Sequence, residues 1–177
     1  MQIDLSEVFA RENQVLTYEC SLETDELVYA KERFLVKEKK PFTLSISCVV
    51  KRKITIFGNT EITVVIPCDR CLKDVPVKLT LDIHREIDFE HLSNNPEDAL
   101  EVSSFIEENM LDVDAFIANE LFLVWPSKTL CSASCKGICK KCGKNLNEGD
   151  CSCEQTELDP RMAAIRDIFY ANYKEEV

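Results

Sequence analysis

Along the first half of the chain, apolar and polar residues alternate with the two-residue period of a half-buried β-strand. Val75, Val77, Leu79, Leu81 and Ile83 fall on one face, so Val75 to Phe89 reads as a strand, and Phe42 to Val50 reads as another. The sharpest local signal is Lys53-Ile-Thr-Ile-Phe57, then Gly58-Asn59, then Thr60-Glu-Ile-Thr-Val-Val-Ile66. β-Branched runs flank a Gly-first pair, which predicts a two-residue hairpin of type II′. Residues 1 to about 90 are therefore expected to be strands joined by short turns.

The period then changes. Residues 90–111 are polar and acidic and contain Asn94-Asn95-Pro96, which predicts a loop or a short irregular helix. From Asp112 onward Val113, Phe116, Ile117, Leu121 and Val124 keep the helical period, with acids in the first turn where the helix dipole favours them. Trp125-Pro126 ends this packing helix, and Trp125 reads as a core anchor. Asp159-Pro160 supplies an N-cap and a first-turn proline for a terminal helix, whose Met162, Ile165, Ile168 and Phe169 would pack on the main body.

Between the two helices lies a segment with too little apolar content to fold through its own core. Its thiols fall as Cys131-x3-Cys135-x3-Cys139-x2-Cys142-x8-Cys151-x-Cys153, and Cys139-Lys-Lys-Cys142-Gly143 has the form of a zinc knuckle. Two intervening residues let both sulfurs point at one ion, and the glycine accepts the positive φ that such a turn needs. Upstream, Cys68-Asp-Arg-Cys71 repeats the spacing. It could ligate metal with tail cysteines, form a redox dithiol, or be an ordinary turn. A thioredoxin-like motif should open a helix, whereas Leu72-Lys-Asp-Val-Pro76 leads back into a strand.

Ten cysteines in 177 residues would suit a disulfide framework in a secreted chain. The N-terminus shows no basic stretch followed by an apolar one, and no run is apolar enough to span a membrane, so a reducing cytoplasmic setting and thiolate ligands are expected. The expected cofactor is structural zinc, one or two ions. The preferred ligand sets are Cys139, Cys142, Cys151 and Cys153, and Cys68, Cys71, Cys131 and Cys135; spacing alone leaves the partition open. Cys20 and Cys48 lie in strand-like runs and read as buried small hydrophobes.

The fold class expected is α+β: an antiparallel β-sheet or partly open barrel with one packing helix, a zinc-stabilised cysteine-rich tail and a C-terminal helix. The length allows one sizeable core and an appended module. These are assigned to 1–126, the β-rich core with its acidic loop and packing helix, and 127–177, the cysteine-rich module and terminal helix.

The formal charge of -11 opposes a general grip on nucleic acid, but its distribution is segmented. Glu86 to Glu120 holds eleven acids and no Lys or Arg, while Lys128 to Lys144 holds five lysines and no acid. Candidate RNA contacts are Lys51, Arg52 and Lys53, Arg70 between two candidate ligands, and Lys136, Lys140, Lys141 and Lys144 in the tail. The simpler reading of the tail lysines is that they offset the charge of thiolate-bound zinc, since no aromatic is interleaved to stack on bases. Catalytic constellations are absent: His84 and His91 neighbour no plausible nucleophile in sequence, and no phosphate-cradling glycine loop occurs.

Taken in order, Cys68-Asp-Arg-Cys71-Leu72, Trp125-Pro126, Leu130-Cys131, Cys135-Lys-Gly-Ile-Cys139, Cys142-Gly-Lys-Asn-Leu-Asn147, Cys151-Ser-Cys153 and Asp159-Pro-Arg161 resemble the bacterial YceD family. The chain departs from it at Lys140, where many relatives carry proline. The resemblance implies a non-enzymatic cytoplasmic ribosome-biogenesis factor needed for 23S large-subunit ribosomal RNA accumulation. Its expected partner is precursor 23S rRNA or a large-subunit ribosomal protein, with no membrane and no small-molecule substrate. Two other readings stand beside it, an acidic adaptor for a ribosomal protein and a thiol redox sensor.

Overall fold

The computed structural model describes residues 1–153 apart from 30, 51, 93 and 94, together with Ile165 and Ile168. Nine strands and four helices follow in the order β1 (Gln2–Asp4), α1 (Ser6–Ala10), β2 (Val15–Cys20), β3 (Glu26–Tyr29), β4 (Glu32–Lys39), β5 (Phe42–Val50), β6 (Lys53–Pro67), β7 (Asp74–Asp88), α2 (Phe89–Leu92), α3 (Pro96–Ser103), β8 (Ile106–Glu107), β9 (Met110–Asp112) and α4 (Val113–Leu123) among the described residues. Every strand pairing is antiparallel.

The spine is the pair β6–β7. Each strand is 15 residues long, and they pair without interruption from Lys53↔Asp88 to Pro67↔Asp74. The other edge of β6 is shared: its first half pairs with β5 and its second half with β4. Even-numbered positions of β6 face the core, where Ile54, Ile56, Ile62, Val64 and Ile66 are buried, and β7 contributes Leu79, Leu81, Ile83 and Ile87. Each such side chain contributes roughly 1.5–3 kcal/mol when fully removed from water.

Gly58 therefore does not make the turn that its neighbour Asn59 advertises. It sits mid-strand, opposite Leu44 on one side and Ile83 on the other. A Cβ there would stand 2.7 Å from Leu44 Cδ2 and 2.9 Å from the Thr43 carbonyl oxygen, so the glycine permits close approach of β5. The chain reverses instead between β5 and β6, where Val50 pairs with Lys53 and Arg52 has φ 60°.

α4 closes the core with Val113, Phe116, Ile117 and Leu121. Its cap is the Asp112 side chain, which accepts from the amides of Asp114 and Ala115 at 3.0 and 3.2 Å. Past its end, Trp125 stacks on Tyr29 with ring centroids 4.7 Å apart and meets Phe34 edge-on at 4.9 Å. The acidic stretch takes the short-helix alternative and adds a strand: α2 and α3 lie in it, and β9 pairs with β1 in a separate three-stranded sheet. The helix expected from Asp159-Pro160, with Met162 and Phe169, lies outside the described residues. Ile165 and Ile168 are helical but 57% and 63% exposed, so these two do not pack on the body as expected.

Candidate metal centres and their surroundings

The connection between β6 and β7 carries Cys68-Asp-Arg-Cys71 at the far end of the spine. Two tail cysteines come to meet it. The Sγ atoms of Cys68, Cys71, Cys131 and Cys135 all lie within 4.8 Å of one another, and so do those of Cys139, Cys142, Cys151 and Cys153. In the first group Cys68 and Cys135 sulfurs are 3.8 Å apart and those of Cys71 and Cys131 3.5 Å. Four sulfurs about 2.3 Å from one zinc ion stand about 3.8 Å from each other, so the spacing suits a tetrahedral thiolate site. Cys68, Cys71, Cys135 and Cys139 are buried, whereas Cys142 is exposed.

Both groups are built on the same turn. In the first, the Leu72 amide donates to the Cys68 carbonyl at 2.9 Å and the Cys68 amide to the Lys73 carbonyl at 2.8 Å. In the second, Gly143 donates to Cys139 at 2.8 Å and Cys139 to Lys144 at 2.8 Å. The residue after the second cysteine has positive φ in each, 60° at Leu72 and 73° at Gly143. This geometry aims backbone amides at sulfur. The Cys131 amide reaches Cys68 Sγ at 3.3 Å, and the Asn147 side-chain amide reaches Cys135 Sγ at 3.4 Å.

The electrostatics show what such a cluster lacks by itself. Burial pushes the Cys68 thiol up, but amides of Arg70, Cys131 and Cys71 outweigh it and bring it to about 6. Amides of Cys142 and Lys141, with the Cys151 thiol, bring Cys139 to about 6 as well. Their neighbours move the other way: hydrogen bonds to Cys71 and Cys135, with burial, push Cys131 to about 12, and the Cys142 thiol above all pushes Cys153 to about 12. Like charges in one site cannot all ionise. A bound dication lets every thiol lose its proton, and the donor set of four sulfurs with amide support fits a soft or borderline metal.

The tail is also tied down by residues that spacing does not reveal. Asp69 and Thr129 exchange two bonds, amide to carbonyl at 2.9 Å and amide to carboxylate at 2.7 Å. Arg70 donates its guanidinium to the Cys135 carbonyl at 2.8 Å, and its own carbonyl accepts from the Ile138 amide at 3.0 Å. Only the clustering of Asp69 and Arg70 between two cysteines, and the place of Asn147 at the end of the Cys142–Asn147 motif, could have hinted at this; Thr129 carries no advance signal.

The candidate RNA contacts separate. Lys51 lies outside the described residues. Arg52 holds its guanidinium over the rings of Phe9 and Phe89 at 5.7 and 5.6 Å, and Lys53 pairs with Glu86 at 2.8 Å. In the tail Lys144 Nζ donates to the Asp150 carbonyl at 2.7 Å and Lys136 faces the Asp150 carboxylate at 3.9 Å. Lys140 and Lys141 are exposed and make no ion pair among the described residues. Both histidines lie at the surface region of the sheet and of α2: His84 stacks on Phe57 with centroids 4.6 Å apart, and His91 faces Asp98 at 3.7 Å. Cys20 and Cys48 are buried in the core, apart from the two sulfur groups.

Fold and site together define a class: an antiparallel β protein whose longest hairpin ends in a cysteine turn that clasps a second, cysteine-rich turn. The chain belongs to the YceD family, described as "Large ribosomal RNA subunit accumulation protein YceD", which matches residues 56–169. That span takes in all eight clustered cysteines. The chain is 35% identical over 63 residues to the "Large ribosomal RNA subunit accumulation protein YCED homolog 1, chloroplastic" of Arabidopsis thaliana, a match covering 36% of this chain and 19% of the relative. It is 26% identical over 107 residues to the "Uncharacterized protein YlbN" of Bacillus subtilis (strain 168), covering 58% of this chain and 59% of that one. No solved structure matches. Among the described residues no helix is long and apolar enough to cross a membrane.

Proposed function

We propose that this chain is a non-catalytic ribosome-biogenesis factor that binds precursor 23S ribosomal RNA in the cytoplasm and protects or positions it while the large-subunit RNA accumulates. The family name supplies the link to large-subunit RNA. The observation that carries the mode of action is the cysteine clasp, which fixes a lysine-bearing turn to the tip of the β6–β7 spine. Zinc at the two four-sulfur groups would serve as scaffolding, and Lys140 and Lys141 would reach phosphate. Arg52 and Lys53, already engaged with aromatic rings and Glu86, hold the β5–β6 turn.

The test is depletion of the protein with rescue, reading 23S precursor and mature levels. Cys139→Ser and a Lys140→Glu, Lys141→Glu pair are expected to rescue poorly, while Lys53→Gln rescues well. Full rescue by the first two removes the role given to the tail. Association with a large-subunit ribosomal protein but not with RNA, at matched salt, would favour the acidic adaptor instead.

A further inference from the structure

The two cysteine turns share their backbone hydrogen bonds and their positive φ, yet the residue that carries the positive φ differs. Where the second turn has Gly143, the first has Leu72. Left-handed φ crowds any side chain with a Cβ, and a bulky branched one most of all; glycine is the residue that such a position selects by itself. A leucine can be repaid by burial. Leu72 is not, for it is 65% exposed. The chain thus holds a large apolar side chain out into solvent, in a strained conformation, on a turn fixed by four cysteines and the Asp69–Thr129 pair. Strain retained at such a position points to a contact made by that side chain.

Its surroundings narrow the partner. Arg70, two residues earlier, takes the Ile138 amide on its carbonyl, so the second turn begins alongside the first. That brings Ile138, 37% exposed, to the same end of the molecule as Leu72, followed by Lys140 and Lys141. Lys73 is exposed next to Leu72. The nearby acids are Asp69, whose carboxylate takes the Thr129 amide, Asp74, and in the tail Glu148, which takes the Asn145 side-chain amide, and Asp150, which faces Lys136. The thiolates of loaded metal sites would add negative charge, but four of the eight cysteines are buried, whereas Lys73, Lys140 and Lys141 are exposed. An apolar projection flanked by free cations is the chemistry that meets an unstacked base between two phosphates.

We propose that Leu72 is an apolar wedge which packs against an unstacked base of large-subunit RNA, at a bulge, loop or junction, while Lys140 and Lys141 contact the neighbouring phosphates. The inference rests on the RNA reading above and names the contact. Gly143 supplies a built-in control: glycine is compatible with this turn, so Leu72→Gly removes the wedge and relieves the backbone at once. Leu72→Asn is a second variant that tolerates left-handed φ and keeps a side chain.

Full-length, zinc-loaded protein is titrated with transcribed 23S RNA over excess transfer RNA, at several salt concentrations. Leu72→Gly and Leu72→Asn are expected to weaken binding by about tenfold with the salt slope unchanged, since an apolar contact releases no counterions. Lys140→Glu with Lys141→Glu is expected to weaken it with a shallower slope. If wild type binds the transcript and both leucine variants bind as tightly, the wedge is refuted and the RNA reading survives. If wild type does not bind the transcript, both fall. Loss of a ribosomal protein partner by the leucine variants, with RNA binding intact, also refutes the wedge.

Discussion

Replacing Gly58 with alanine tests the central feature of the sheet. The added Cβ would lie 2.7 Å from Leu44 Cδ2, 2.9 Å from the Thr43 carbonyl oxygen and 3.8 Å from Ile83 Cδ1. The first two are closer than carbon packs without movement. Leu44 is fully buried, and the Thr43 carbonyl belongs to β5, whose pairing with β6 runs through Thr43↔Asn59 and Leu44↔Gly58. Alanine ordinarily gains about 0.5–1 kcal/mol over glycine in a strand, and overpacking a core costs about 1–3 kcal/mol. The net expected loss is about 1–2 kcal/mol, or about 2–4 °C of Tm for each kcal/mol in a chain of this size. Equilibrium denaturation with zinc and reductant held constant measures it. A turn at 58–59 would also disfavour alanine, so the decisive measurement is the cycle with Leu44→Ala. Removing Cδ2 should cut the cost of Gly58→Ala by about 1 kcal/mol, because the two sites share the clash. Strictly additive losses would refute the strand assignment of Gly58.

Three further outcomes are expected. Purified under reducing conditions, the chain should carry two zinc ions by native mass spectrometry and Cys68→Ser one; two ions retained in the variant would exclude Cys68 as a ligand. Leu72→Gly should raise stability by about 1 kcal/mol, read as a higher denaturation midpoint, and a lower midpoint would mean that Leu72 packs in solution. Burial raises the Glu120 carboxyl above its ordinary 4.5, with Arg85 pulling it down and Glu101 pushing it up. Its ionisation in the fold therefore subtracts stability as pH climbs through the raised value, so Glu120→Gln should melt higher than wild type near pH 8 and lose that advantage at about pH 4. A difference in Tm between the two proteins that is constant over this range would contradict the shift; taking the difference removes the titration of the thiols, which both share.

How far the fold was legible depends on whether a signal was local. The alternation at 75–83 and the helical period from Val113 are consequences of one face being buried, and they locate β7 and α4 well. The hairpin at Gly58-Asn59 failed because glycine has two uses, positive φ and absence of a side chain. Local sequence cannot tell which is in force; the nearness of Leu44, fourteen positions earlier, decides it. β1 was invisible for a related reason, since three residues acquire strand character only through β9, more than a hundred positions on. The cysteines were legible as candidate ligands because two-residue spacing is a local demand of a knuckle. Their supports were not, since Thr129 and Asn147 act through contacts that no period announces.

The two sulfur groups do different work in the architecture. The first joins residues 60 or more positions apart, Cys68 and Cys71 to Cys131 and Cys135, and so fixes the tail to the spine. The second lies wholly within the tail and shapes only the turn that presents Lys140 and Lys141. Loss of the second should leave the first clasp in place while the lysines lose their arrangement. Loss of the first should leave a folded knuckle that has lost its register with Leu72. If the leucine and the lysines grip one RNA feature, their mutual position matters as much as their presence, and Cys135→Ser should then weaken RNA binding although Cys139, Cys142, Cys151, Cys153 and every lysine remain. A Cys135→Ser protein that binds as wild type would show that the lysines act alone, and that the clasp serves stability without serving recognition.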